Sequence, residues 1–171
     1  MAYIRSFLEI GLNDVGLVGG KTASLGELYS VLSAQGVAVP NGFAITADAY
    51  CDALLQPGVA DELHRLFDGL DKNKIKLLAA AAAKARNVIY EATDTEPLRA
   101  QIVEAYRRFE QESGARVAVA VRSSATAEDL PTASFAGQHE SFLNVRGAKD
   151  LFEACRRCFA SIFTDRAISY R

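Results

Sequence analysis

A long helix-forming region followed by a β-branched run is the feature that most constrains the fold. Residues 58–113 have a helical pattern, which is interrupted at 68–69 and again at 93–97. The pattern changes at 117–121, where valine alternates with alanine and predicts a strand buried in a sheet. A second strand is predicted over 141–145. Both helices and strands are therefore expected in this chain.

Composition and charge exclude several classes of function. The 171 residues are 50% hydrophobic and carry 19 basic and 21 acidic groups, for a net charge of −2. Such a balance argues against a nucleic-acid partner, which a basic excess would favour. No stretch approaches the roughly 18 apolar residues that a membrane span needs, so no membrane partner is expected. Three cysteines, an odd number, favour reduced thiols and a cytoplasmic protein.

A glycine pair precedes the first predicted helix, which is expected to end near Gly36. Its apolar residues are predicted to share one buried face: Leu25, Leu28, Tyr29 and Leu32. The motif Gly19-Gly20-Lys21-Thr22 is not a P-loop, because Gly16 stands one residue too close to the Gly-Lys pair. Backbone N–H groups, the helix dipole and Lys21 could nevertheless bind an anion. A glycine turn that begins a helix beside an exposed lysine is the alternative.

Arg122 marks a second candidate site, at the end of the first predicted strand. A guanidinium on a rigid element is suited to phosphate, and Ser123, Ser124 and Thr126 add hydroxyl groups beside it. The alternative is a structural ion pair between Arg122 and an acidic residue at 128 or 129.

The third candidate lies at 133–145, where small residues lead into the second strand. Gly137 would let the backbone approach a ligand closely, and Ser141 could donate a hydrogen bond to a phosphate oxygen. A plain hairpin loop explains the same composition. His139 is expected to be a surface residue.

Cys155 and Cys158 have the spacing of a redox or zinc motif. Both fall on the apolar face of the last predicted helix, and no second pair of ligands lies nearby in the sequence. Core packing is therefore the favoured interpretation, and no metal site is predicted.

Taken together, these segments resemble the N-terminal part of the ATP-binding domain of the phosphoenolpyruvate synthase family. The resemblance rests on residues 18–27, 39–46, 119–131, 133–138 and 163–171. Residues from about 50 to 116 carry no signature and are interpreted as a helical insertion. Pyruvate phosphate dikinases and rifampicin phosphotransferases share this domain; the former differ in the loop after Arg122, and residues 165–171 favour the synthases over the latter.

The resemblance implies an α+β fold of the ATP-grasp-like type and assigns roles to four residues. Lys21 and Arg122 would hold the ATP phosphates, while Gly137 and Ser141 would contact ATP through a backbone group and a hydroxyl. The family reaction converts ATP, pyruvate and water to phosphoenolpyruvate, AMP and phosphate, with Mg²⁺ and a phosphohistidine on a separate domain. Phosphoryl transfer needs positioning and charge neutralisation, which such residues supply.

Other parts of the family machinery have no counterpart in these 171 residues. Neither His64 nor His139 stands in the sequence context of the carrier histidine, and the Mg²⁺ ligands and the pyruvate site belong to regions after Arg171. The chain is thus expected to be an N-terminal fragment, 1–171, that is inactive alone. A non-catalytic nucleotide-binding module is the alternative of another class, and the formation of a homodimer stays open.

Overall fold

The computed structural model describes residues 2–71, 74–126 and 140–164, together with the backbone at 129–130 and 133–134. The helices are α1 (Val15–Val18), α2 (Gly20–Ser33), α3 (Ala47–Leu54), α4 (Val59–Phe67), α5 (Ile75–Ala92), α6 (Glu96–Ser113) and α7 (Ala148–Ala160). The strands are β1 (Ile4–Ser6), β2 (Phe43–Ile45), β3 (Ala118–Arg122), β4 (Asp129–Leu130), β5 (Ala133–Ser134) and β6 (Ser141–Arg146). Short 3-10 helices occupy Phe7–Glu9, Leu12–Asp14 and Ser161–Phe163. This mixture of helices and two-stranded sheets confirms the α+β class.

The predicted helical region is confirmed, including its interruptions. Helix α4 ends before Asp68, α5 ends at Ala92, and α6 begins at Glu96 and ends at Gly114, which has a φ of 66°. A glycine in this left-handed conformation is a frequent helix terminator. In the described part of the chain, no helix is long and apolar enough to cross a membrane.

Helix α2 buries a different face from the predicted one. Ala23 and Gly26 are its buried residues, whereas Leu25 and Leu28 are 44% and 49% exposed. The reason is the close approach of Ile10: a Cβ built on Gly26 would lie 2.5 Å from the Ile10 carbonyl oxygen. Small residues therefore face the core here because they let two backbone segments come together, which a pattern of large apolar residues does not reveal.

The strands β1 and β2 connect α2 to the rest of the molecule. They pair antiparallel, with Ile4 opposite Ile45, and both residues pack against the main core. The backbone N–H of Tyr3 donates to Oε1 of Gln101 on α6, at 2.7 Å. The N-terminal strand is thereby held to α6, and α2 is held with it.

The main core lies between α6, α7 and the β3–β6 hairpin. Its fully or nearly buried members are Ala49, Leu98, Ile102, Tyr106, Leu151, Phe152 and Cys155. The Tyr106 hydroxyl donates to the carbonyl of Val117 at 2.6 Å and accepts from the N–H of Gly147 at 3.0 Å. One side chain of α6 thus satisfies the backbone at both the start of β3 and the end of β6.

The expectation that the first strand of this hairpin is buried is met on one face of the strand. Strands β3 and β6 pair antiparallel, and only one face, which carries Val119, Val121 and Val145, packs against the core. The opposite face is exposed, with Leu143 at 69%. Among the described residues, α6 and α7 cover the hairpin from one side. The valines of β3 lie on this covered face, and its alanines lie on the exposed face.

A β-bulge shapes the same hairpin. Val119 pairs with Val145 and Val121 pairs with Phe142, so two residues of β6, Leu143 and Asn144, lie opposite Ala120. Asn144 takes up the extra length with a φ of 55°, a conformation that asparagine tolerates better than most residues.

Arg156 of α7 is buried, which is uncommon for a charged side chain. Its side chain is 8% exposed, and its guanidinium lies 3.7 Å from the Tyr90 ring centroid. Two of its nitrogens donate to the carbonyl oxygen of Tyr90, at 2.8 and 3.1 Å, and Nη1 lies 3.4 Å from Asp94. The arginine therefore joins α7 to the end of α5.

Replacing Arg156 with methionine should lower the free energy of unfolding by about 2–4 kcal/mol, because the Tyr90 carbonyl loses two hydrogen bonds and Asp94 loses one of its arginine partners. The adjacent Arg157 pairs with Glu153 at 2.7 Å but is 60% exposed. Arg157→Met should therefore cost less than about 0.5–1 kcal/mol. Urea unfolding of the two variants measures the difference, and equal destabilisation would contradict the structural role of Arg156.

The three cysteines differ in how deeply they are buried. Cys51 is exposed, Cys155 is buried in the main core and Cys158 is half-buried. Burial raises the pKa of Cys155 to about 12 and that of Cys158 to about 11. The interpretation of Cys155 as a core residue is thus confirmed, and both thiols of the pair are held in their neutral form at neutral pH.

Brief treatment of the folded protein with iodoacetamide at pH 8 should modify Cys51 and leave Cys155 and Cys158 unmodified, since the thiolate is the reactive species. Mass spectrometry of tryptic peptides separates the three sites, because Arg156 and Arg157 lie between the last two cysteines. All three should react in denaturant. Rapid modification of Cys158 in the folded state would contradict its raised pKa.

Candidate functional site

The N-terminus of α2 and the loop after β3 meet, although about a hundred residues separate them in the sequence. The backbone N–H of Thr22 donates to Oγ of Ser124 at 3.0 Å. The N–H of Gly20 donates to the carbonyl oxygen of Ala125 at 3.4 Å. The structure thus brings the first two candidate motifs of the sequence together.

Gly19 shows how closely the two segments approach. It has a φ of 80° and a ψ of 158°, a combination that only glycine adopts readily. A Cβ built on this residue would lie 2.3–2.5 Å from the carbonyl oxygen, Oγ and carbonyl carbon of Ser124. The sequence predicts that the glycine pair lets backbone N–H groups approach an anion. At Gly19, the group that comes close is instead the loop after β3.

Lys21 lies on the first turn of α2, between the two residues whose N–H groups bond to the loop. It is exposed, and it stands beside the helix N-terminus, whose dipole favours negative charge. Lys21 thus places an exposed cation beside the N-terminus of α2.

Arg122 and Ser141 are directly opposite each other in the β3–β6 hairpin. They are Cα partners in the antiparallel ladder, and both are exposed. Side chains in such a pair lie within about 5.5 Å at Cβ. Arg122 is also the last residue of β3, as predicted, and stands two residues before Ser124.

Three of the four predicted site residues therefore lie on elements that meet: Lys21, Arg122 and Ser141. Gly137 and His139 lie outside the described residues. So does Glu128, and only the backbone of Asp129 is described, so the alternative of an ion pair with Arg122 stays open. His64 is exposed on α4, which packs against α5 rather than against α2 or β3.

The chemical groups on the elements that meet suit an anion. They include an ammonium, a guanidinium and hydroxyls, all of which interact favourably with phosphate oxygens. Within the described residues, no group of three or more His, Cys, Asp or Glu side chains could hold a metal ion.

Ser124 is the residue whose importance the sequence does not reveal. It was predicted to add a hydroxyl beside Arg122, but its observed contacts are with Gly19 and Thr22. The signal was indirect: a glycine at a helix start often means that another part of the chain comes close. Which segment comes close is decided by tertiary packing and not by the local sequence.

Residues 15–171 match the model of the family described as pyruvate phosphate dikinase, AMP/ATP-binding domain. The chain therefore belongs to this family of AMP/ATP-binding domains. Over 169 residues it is 48% identical to a phosphoenolpyruvate synthase of Pseudomonas aeruginosa, and over 175 residues it is 50% identical to that of Synechocystis. Over 163 residues it is 49% identical to the phosphoenolpyruvate synthase of Escherichia coli.

These matches cover nearly the whole chain but a small part of each relative. The aligned regions are 99%, 99% and 95% of this chain, and the chain spans about a fifth of the relatives' length, 21%, 21% and 20% respectively. The resemblance inferred from the motifs is thereby confirmed at the level of the family.

Replacing Gly19 with alanine should lower the free energy of unfolding by at least about 2 kcal/mol, since the new Cβ meets Ser124 and the backbone conformation becomes strained. Gly16 is the matched control, because a Cβ built there meets no atom within 4 Å. Gly16→Ala lies within α1 and should cause no loss. Urea unfolding measures both, and a Gly19→Ala protein as stable as the Gly16→Ala protein would contradict the close approach.

Proposed function

We propose that this chain is the N-terminal part, 1–171, of the ATP-binding domain of a phosphoenolpyruvate synthase. The observation that carries the proposal is the meeting of the α2 N-terminus with the loop after β3, which supports a shared anion site for Lys21, Arg122 and Ser141. Membership of an AMP/ATP-binding family supports a nucleotide as the anion. The names and the identities of the relatives support the particular enzyme.

In this proposal, Lys21 and Arg122 bind the phosphates of ATP. Phosphate oxygens carry the charge that develops when a phosphoryl group leaves, so fixed cations stabilise the transition state as well as the bound nucleotide. Arg122 stands at the end of a paired strand and Lys21 on the first turn of a helix. Rigid supports of this kind keep the cost of ordering the cations low.

Ser141 and Gly137 complete the proposed set. Ser141 faces the same side of the hairpin end as Arg122, where its hydroxyl can donate to a phosphate oxygen. Gly137 is proposed to offer a backbone group. The fold is proposed to be of the ATP-grasp-like type, in which ATP lies between two α+β parts. Residues from about 50 to 116 are interpreted as a helical insertion, consistent with helices α4, α5 and α6.

Mg²⁺ is expected to accompany the nucleotide, but the described residues of the site do not fit it. They supply cations and hydroxyls, whereas Mg²⁺ prefers carboxylates and phosphate oxygens. No metal-binding cluster occurs in the described part of the chain. We therefore assign no Mg²⁺ ligand to these residues.

The full reaction is proposed to be the conversion of ATP, pyruvate and water to phosphoenolpyruvate, AMP and phosphate, through a phosphohistidine on a separate domain. The contribution of this chain is to bind ATP and to fix its phosphates. The phosphoryl acceptor is not assigned to His64, which lies on α4, or to His139. A homodimer is neither required nor opposed by this arrangement.

In the protein that carries this chain, Lys21→Ala and Arg122→Ala should each lower pyruvate-dependent AMP formation by about a hundredfold, since each removes one cation from the charged phosphates. Lys149 is a matched control for Lys21, because both are the second residue of a helix that begins after a glycine. Arg146 is a matched control for Arg122, because it is exposed at the opposite end of the same hairpin.

The two control variants should keep activity within about twofold of the unmodified protein, as expected for surface residues outside the site. Near-normal AMP formation in both Lys21→Ala and Arg122→Ala would overturn the assigned roles. AMP formation that depends on rifampicin rather than on pyruvate, or that requires inorganic phosphate together with pyruvate, would replace the synthase with the corresponding relative.

A further inference from the structure

Helix α2 begins without a cap of its own. Its N-cap residue is Gly19, which has no side chain to accept a hydrogen bond from the N–H groups of the first turn. Serine, threonine, aspartate or asparagine normally fills this position and binds the N–H two or three residues later. In α2 the acceptor for the Thr22 N–H is the hydroxyl of Ser124, which is 102 residues away in the sequence.

Helix α7 provides an internal comparison. Its N-cap is Gly147, with a φ of 80° and a ψ of 152°, nearly the conformation of Gly19. A Cβ built on Gly147 meets no atom within 4 Å in the described part of the chain, whereas one built on Gly19 meets three atoms of Ser124. The contact with a distant loop is therefore a property of α2 and not of glycine-capped helices in general.

The contact fixes the first turn of α2 at two points. The N–H groups of Gly20 and Thr22 bond to Ala125 and Ser124, and Lys21 lies between them. The next residue, Ala23, is completely buried. The first turn thus cannot shift relative to the loop without breaking these contacts, and the loop begins directly after Arg122.

We propose that Ser124 is a positioning residue, whose hydroxyl caps α2 from a distance and holds Lys21 in a fixed position relative to Arg122. This inference rests on the proposed function, because it concerns the same phosphate site. Ser124 acts through Lys21 and is not proposed to contact the nucleotide. A span of negative charge such as a triphosphate requires two cations at a defined separation, and this hydroxyl is one of the connections between their two supports.

The test is ATP binding by the protein that carries this chain, measured by titration calorimetry. Ser124→Ala should weaken ATP binding about tenfold, the effect expected from the loss of one helix cap. Ser124→Thr keeps a hydroxyl and should restore binding to within threefold. Ser113→Ala is the matched control, since it removes an exposed serine hydroxyl at the end of α6 that bonds locally, to the Phe109 carbonyl, and it should change binding less than twofold.

Coupling to Lys21 distinguishes positioning from simple stabilisation. In a Lys21→Ala background, Ser124→Ala should weaken ATP binding less than twofold further, because the group that it positions is already absent. Amide hydrogen exchange should show faster exchange at Thr22 in Ser124→Ala and unchanged exchange in α7. A full tenfold loss in the Lys21→Ala background would overturn the proposal.

The remaining outcomes separate this proposal from the proposed function. Unweakened ATP binding by Ser124→Ala, with faster exchange at Thr22, would overturn the role of Ser124 and leave the nucleotide site standing. Failure of the unmodified protein to bind ATP would overturn the proposed function and this inference with it. If Ser124→Ala fails to fold, weakened binding by Ser124→Thr to the extent seen for Lys21→Ala would overturn the proposal.

Discussion

The packing of α7 is the constraint on which the rest of the described structure depends. Its buried face closes the main core against α6 and the β3–β6 hairpin, and Arg156 on the same helix binds the end of α5. The hairpin is covered from that side, so its other face and its end at Arg122 stay exposed. Because β1 and β2 also pack against this core, α2 is held where its first turn can reach the loop after β3.

Local patterns predicted much of this fold because the relevant information is local. Helices α4, α5 and α6 follow from apolar periodicity, from the breaks at 68–69 and 93–97 and from the left-handed Gly114. The two strands of the hairpin follow from β-branched runs. The three candidate residues that the structure describes, Lys21, Arg122 and Ser141, stood out because lysine, arginine and serine at the ends of such elements suit an anion.

The features that could not be predicted depend on which segments meet. Helix α2 buries Ala23 and Gly26 rather than its leucines because Ile10 comes within contact of its backbone. Arg156 and Arg157 are identical side chains next to each other, yet only Arg156 finds Tyr90 and Asp94 within reach. Nothing in the sequence around Ser124 distinguishes it from Ser123. Each outcome is decided by a neighbour that is distant in the chain.

The bond between Thr22 and Ser124 also has a consequence for the order of folding. It joins residues 102 positions apart, and such a contact forms only after a long loop has closed, at an entropic cost that local helices do not have. During synthesis, α2 leaves the ribosome before β3 exists, so its first turn must wait for its cap. The anion site is therefore expected to be among the last parts of the molecule to become native, after the helices around it have formed.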